Sequence, residues 1–162
     1  MAPLVLRSDS PAATRRIGRK LGRHLQPGDV VLLQGELGAG KTCLAQGVGR
    51  GLGVDEQIKS SAFVLVNEYA GRLRMYLADL YRLCDLEEVA DLALEENAAG
   101  GVLVVEWPDR AWDEMPRERL LIRMKWLDEN SRELSLEPEG ERARELAEKL
   151  AADAQRKGVR NR

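Results

Sequence analysis

The chain has 162 residues, a length suited to one domain built around one hydrophobic core. Charged side chains make up 32% of it, yet they nearly cancel to a formal net charge of −2, so no global basic field points to direct nucleic-acid binding. The longest apolar run falls far short of a membrane span and the opening residues carry no signal-peptide pattern, so a cytoplasmic, non-membrane protein is expected.

In chain order, Leu4 to Leu6 reads as a short strand, and Ser8-Asp9-Ser10-Pro11 as a helix start. Ala13, Ile17, Leu21 and Leu25 then mark one face of an amphipathic helix, closed by Pro27-Gly28. His24, the only histidine, falls at the end of that helix, where a favourable dipole contact accounts for it better than catalysis. Val30-Val31-Leu32-Leu33 is a short apolar run of the kind that forms a buried parallel strand.

That strand ends in Gly35-Glu36-Leu37-Gly38-Ala39-Gly40-Lys41-Thr42, which satisfies G-x-x-x-x-G-K-[ST]. Its glycines let the backbone turn tightly and bring successive N–H groups onto phosphate oxygens, with the positive end of the next helix behind them. Lys41 adds a charge for the β- and γ-phosphates, and the Thr42 hydroxyl is placed to ligate Mg²⁺. Leu44, Val48 and Leu52 share one face of the following helix, and Gly53 ends it. The expected nucleotide contacts run from Gly35 through Cys43. Cys43 is either simply a small helix residue or a modifiable thiol, and with Cys84 it forms no metal-like pattern.

Farther along, 63–69 and 72–77 read as two strands joined at Ala70-Gly71, and 85–96 as one acidic helix with Leu86, Val89, Ala90, Ala93 and Leu94 on its apolar face. Gly100-Gly101 leads into a second buried strand over 102–107. Segments 119–127 and 132–137 alternate and pair as a hairpin around Asp128 to Ser131. A charged helix over 140–155 follows, and the domain is expected to span 1–156 with 157–162 as a frayed basic tail. The fold expected is α/β, of the P-loop NTPase kind: a mixed, mostly parallel central sheet flanked by helices, with antiparallel additions from 63–77 and 119–137.

A phosphate loop needs a second Mg²⁺ ligand and a group that orients water, both at the C-terminal ends of strands. Glu106 ends an apolar strand just before Trp107-Pro108, so it is either that acidic ligand or a strand-end surface charge. Asp79 follows the strand expected to end at Leu77; it either orients water or serves as a cap or an ion-pair partner of Arg82. Trp107 reads equally as core packing or as a lid beside the nucleotide.

These motifs together resemble the TsaE (YjeE) family of P-loop ATPases of bacterial threonylcarbamoyladenosine modification of tRNA. The resemblance runs from about Ser8 to about Arg132. It is carried by the helix around Thr14-x-x-Ile17-Gly18, the segment 28–42, and the stretches 60–69, 79–83 and 105–108 in that order. It implies ATP with Mg²⁺, a metal shell including Thr42 and Glu106, an essential Asp79 near the γ-phosphate, and a role in activity for Trp107. It also implies nucleotide contacts from Ser10 and Arg132. The implied partner is the TsaB–TsaD complex, with tRNA engaged only indirectly. Ala62 and Leu77 depart from the family pattern, which has a threonine and a histidine there, and the departures bear on hydrolysis rather than on ATP binding. Two other classes stay in play: a nucleotide-gated binding module without turnover, and a small-metabolite kinase using Arg72, Arg74 or Arg82. A GTPase is set aside because no N-K-x-D tetrapeptide occurs.

Overall fold

The computed structural model describes residues 4–59 and 66–160, with side chains up to residue 154. Its strands are β1 (Leu4–Ser8), β2 (Val30–Gly35), β3 (Val66–Tyr69), β4 (Met75–Asp79), β5 (Val102–Glu106), β6 (Arg119–Trp126) and β7 (Arg132–Glu139). Its helices are α1 (Pro11–His24), α2 (Lys41–Gly51), α3 (Glu87–Asp91), α4 (Leu94–Gly100) and α5 (Glu141–Arg160). The strands form one seven-stranded sheet in the order β1-β7-β6-β2-β5-β4-β3. The four central strands, β6, β2, β5 and β4, run parallel, and β1, β7 and β3 are antiparallel additions. The 119–137 hairpin thus contributes its first strand to the parallel centre and only its second to the antiparallel edge.

The apolar runs of β2 and β5 are buried on both faces, as unbroken hydrophobic strands require. Val31, Leu33, Val102 and Val104 face a core closed by α1, α2 and α5. Val30, Leu32, Leu103 and Val105 face a second core covered by α3, α4 and the 3₁₀ segment Pro108–Glu114. Adjacent β2 and β5 carry the loop after Gly35 and the carboxylate of Glu106 to the same sheet edge.

Helix α1 starts as expected, with Pro11 at its first position and Ser10 as the cap: the Ser10 hydroxyl accepts from the Ala13 N–H at 3.0 Å. Small residues set its distance from α2. A methyl group added to Gly18 or Gly22 would collide with the Leu44 or Val48 carbonyl, and one on Gly47 or Gly51 with the Arg15 or Arg19 carbonyl. Backbone therefore packs on backbone, and α2 is held at a fixed height over the sheet. At the opposite edge, Arg142 of α5 donates from Nη2 to the Asp29 carboxylate at 2.9 Å and to the His24 carbonyl at 2.7 Å. His24 itself pairs with Asp153 at 2.7 Å.

The structure corrects three readings. The strand expected over 72–77 is β4, Met75–Asp79, so Asp79 closes a strand rather than following one. The acidic helix expected over 85–96 is two short helices, α3 and α4, broken at Ala93, whose φ of 50° is left-handed. Val89 and Leu94 are buried as expected, but Leu86 is 56% exposed and Ala90 and Ala93 face solvent, while Ala98 joins the core instead. The charged helix continues past 155 to Arg160. The first part of the strand expected over 63–69, together with Ser60, Ser61 and Ala62, lies outside the described residues.

Candidate functional site

The loop after β2 is shaped by its glycines where the chain leaves the sheet. Gly40 has φ +100°, a left-handed conformation that side chains rarely adopt, and it caps α2 so that the helix starts at Lys41 with its free N–H groups facing outward. Gly35 lies so close to β6 that a methyl there would stand 2.6 Å from the Met124 carbonyl. The turn between them closes through the Ala39 N–H to the Glu36 carbonyl at 3.0 Å.

Lys41 is buried against this loop. Its ammonium donates to the Gly35 and Glu36 carbonyls at 2.5 and 2.8 Å and lies 4.1 Å from the centre of the Trp107 ring. Burial lowers its pKa, and Glu106, Asp109, Asp79 and Glu36 oppose that shift by attracting the charge. The ammonium thus has donors that can be redirected from loop carbonyls to an incoming anion.

Two carboxylates stand at the strand ends beside it. Asp79 and Glu106 are register partners on the parallel β4–β5 pair, so both close their strands at one level. Glu106 is 3% exposed, and the Thr42 hydroxyl donates to its Oε1 at 3.4 Å. Burial raises the Glu106 pKa to about 7, with the Asp79 charge adding to the rise and Lys41 and Thr42 opposing it. A buried carboxylate with so high a pKa, beside a hydroxyl and a second carboxylate, is short of positive charge. Such an all-oxygen donor set fits a hard divalent cation that keeps some of its waters and shares phosphate ligands, as Mg²⁺ does. Asp79 is half-buried, and its Oδ1 accepts from the Tyr81 N–H at 3.0 Å. That turn matches the cap alternative, whereas among the described residues Asp79 makes no ion pair with Arg82.

A cavity of about 450 Å³ gathers most of the expected site: Leu37, Gly38, Gly40, Lys41, Thr42, Cys43, Asp79, Glu106, Trp107 and Arg132. Arg132, at the start of β7, reaches it across the fold, donating from Nη2 to the Gly38 carbonyl at 3.1 Å. Four expected residues do not line it. Ala39 is wholly buried in the core, Gly35 and Glu36 line a neighbouring cavity, and the Ser10 side chain is spent on capping α1. The Cys43 thiol is free and partly buried.

Trp107 is partly buried, packing against the second core while lining the cavity. It sits in a left-handed backbone conformation, φ 60° and ψ 47°, unusual for a bulky side chain, immediately after β5. Its ring packs on Tyr81 with centroids 4.8 Å apart, and the Lys41 ammonium and the Arg110 guanidinium lie 4.1 and 5.9 Å from its centre. Tyr81 and Arg110 are site neighbours that the sequence reading does not pick out, and Arg82, weighed there only as an ion-pair partner or a kinase arginine, lines the cavity. Tyr81 has a signal, two positions beyond Asp79 in the same strand-end turn; Arg110 has none, because its place depends on the turn at Trp107.

The family model for the threonylcarbamoyl adenosine biosynthesis protein TsaE matches residues 8–134. The tRNA threonylcarbamoyladenosine biosynthesis protein TsaE of Treponema pallidum is 42% identical over 130 residues, covering 80% of this chain and 96% of the relative. The protein of the same name from Bacillus subtilis is 37% identical over 153 residues, covering 93% of this chain and 96% of the relative. The crystal structure of YdiB from Bacillus subtilis superimposes with a TM-score of 0.78 at 34% identity, covering 94% of this chain and 96% of that one.

Proposed function

Because the chain belongs to the TsaE family of threonylcarbamoyl adenosine biosynthesis proteins, we propose that it is a Mg²⁺-dependent ATPase that supports this tRNA modification by acting on the TsaB–TsaD complex. The observation that carries the reading is the Thr42 hydroxyl donating to the buried Glu106 carboxylate at 3.4 Å, directly under a glycine loop that opens a helix. Phosphates would be held by the N–H groups from Gly38 to Cys43 and by Lys41, released from the Gly35 and Glu36 carbonyls. Thr42 and Glu106 would hold the cation, which neutralises phosphate charge when bound. Asp79, one strand away, would orient the attacking water and take up its proton. Trp107 and Tyr81 wall the γ-phosphate end and keep bulk water from Lys41.

Measuring ATP turnover with and without TsaB–TsaD tests this. Turnover stimulated by the complex is expected. Lys41→Ala should weaken ATP binding or abolish turnover, because Lys41 is the cation that the loop itself carries, held on the Gly35 and Glu36 carbonyls. Asp79→Asn should retain ATP affinity while turnover falls by about 10²–10⁴-fold. ATP binding without turnover, even with the complex present, would leave a nucleotide-gated binding module. An Asp79→Asn variant with normal turnover would reduce Asp79 to the cap of its own turn.

A further inference from the structure

The near-zero net charge of the chain conceals a separation of signs between the two faces of the sheet. Helix α1 holds Arg15, Arg16, Arg19, Lys20 and Arg23 and no acidic residue. The stretch 85–96, on the opposite face with α3 and the start of α4, holds Asp85, Glu87, Glu88, Asp91, Glu95 and Glu96 and no basic one.

The spacing along α1 decides what each of its residues faces. Ile17, Gly18, Leu21 and Gly22 are buried against α2 and the sheet. Lys20 and His24 turn toward α5, where they reach the backbone carbonyl and the carboxylate of Asp153. Arg15, Arg16, Arg19 and Arg23 fill the remaining outward arc, and all four are exposed. Arg15, Arg19 and Arg23 follow at intervals of four, about 6 Å of helix rise per step, close to the separation of successive phosphates along a nucleic-acid strand. The glycine contact with α2 brings a further guanidinium onto this surface. Arg15 and Arg50 line one depression of about 280 Å³, in which Glu56 is the only acidic residue among the described residues. Arg15 donates to the Gln46 side chain, and Arg50 to the Val54 and Asp55 carbonyls. These acceptors are neutral, and none of the five arginines enters an ion pair among the described residues.

A helix face that only meets water is more stable with acids interleaved, because like charges four residues apart repel. An unbroken arc of arginines is suited to a polyanion instead. A basic helix that binds membranes inserts an apolar face, and that of α1 is spent on the core. The exposed large apolar residues Val5, Leu37, Leu86, Trp126 and Leu127 all lie outside α1 and α2. Arginine, with its planar fork, pairs with phosphate oxygens two at a time. We infer that the outer face of α1, extended by Arg50 of α2, binds the phosphate backbone of RNA directly. The choice of tRNA as that RNA rests on the role proposed above; the phosphate-binding face does not.

The test follows the fluorescence polarisation of a labelled, unmodified tRNA transcript as the full chain is added, over a series of KCl concentrations. Saturable binding is expected, its log affinity falling with log salt at a slope of about −3 to −4, as roughly four phosphate contacts require. Arg19 and Arg23 make no side-chain hydrogen bond among the described residues, so replacing both leaves the fold intact. Arg19→Gln combined with Arg23→Gln should weaken binding by about tenfold at low salt and flatten the slope by about two. Arg117→Gln combined with Arg144→Gln makes the same change of charge at exposed positions off this face, and should leave affinity within about twofold. The inference is overturned by equal losses in the two double variants, or by no tRNA binding at about 50 mM salt, where phosphate contacts are strong. Binding to phosphatidylserine vesicles without binding to tRNA also overturns it and assigns the face to a membrane. A chain that binds tRNA through this face yet shows no ATP turnover with TsaB–TsaD would remove the ATPase reading and uphold this one.

Discussion

Glu106 shows how one residue can be costly to the fold and useful to the site. Its carboxyl titrates at about 7 in the folded chain against an ordinary value of 4.5, mainly because it is buried. The sign follows from which state ionises first. Below 4.5 both states hold the proton and the residue costs nothing by linkage; between 4.5 and about 7 the unfolded chain ionises while the folded one does not, so stability falls as pH rises. An offset of that size corresponds to about 3 kcal/mol by the upper end of the window. Glu106→Gln removes the titration and keeps an acceptor for Thr42. Without ligand, the variant should therefore lose less stability than the parent between pH 5 and pH 8, by roughly 2–3 kcal/mol in urea unfolding. Parallel pH profiles would mean that the carboxyl is not short of charge, and its claim as a cation ligand would weaken. Asp79→Asn should reduce the parent's pH dependence partially, since the Asp79 charge is the second cause of the shift.

At the scale of elements, the glycines between α1 and α2 reverse an expectation from helix propensity. Replacing a helical glycine by alanine ordinarily stabilises by up to about 1 kcal/mol. At Gly47 the new methyl meets the Arg15 carbonyl, which belongs to backbone and cannot step aside. Gly47→Ala should therefore destabilise by about 1–3 kcal/mol and also weaken Mg-ATP binding, since α2 presents the N–H groups that hold phosphate. Unchanged unfolding and binding would show that the two helices can part without consequence. The helices themselves were legible from apolar spacing, and so were the loop and both strand-end carboxylates, because each lies in a contiguous motif. Glycines 18, 22, 47 and 51 were not legible as a contact, since sequence spacing says nothing about which helix faces which. The break at Ala93 was hidden for a related reason. Leu92 and Leu94 both pack on the second core, yet positions two apart point about 200° away from each other on one helix. Tertiary burial wins, and the Asn97 side chain donates to the freed Leu92 carbonyl at 2.9 Å. No glycine or proline announces the turn.

Across the whole molecule, chemistry and anchoring occupy opposite ends of the parallel strands. Thr42, Asp79, Glu106 and Trp107 gather at the C-terminal ends of β2, β4 and β5, while Asp29, just ahead of β2, is tied to Arg142 of α5 at the other end. Asp29 is 5% exposed and accepts from both the Nε and Nη2 of Arg142, an interaction that raises the guanidinium's pKa. Arg142→Met keeps most of the side-chain volume but leaves the Asp29 carboxylate buried without its partner, which should cost about 3 kcal/mol of unfolding free energy. The loss should not reach the site, because sites this far apart with no shared partner are close to additive. Ligand linkage gives that claim a clean readout: a ligand at 100 times its Kd stabilises by about 2.7 kcal/mol, whatever the starting stability. Mg-ATP should therefore shift the unfolding free energy of the parent and of Arg142→Met by equal amounts, from two different baselines. For Lys41→Ala the pattern inverts, with little loss in the absence of ligand and no shift when Mg-ATP is added. A smaller Mg-ATP shift in Arg142→Met than in the parent would mean that α5 and the phosphate loop are coupled through β2, and that the sheet transmits strain from its anchored end to the nucleotide.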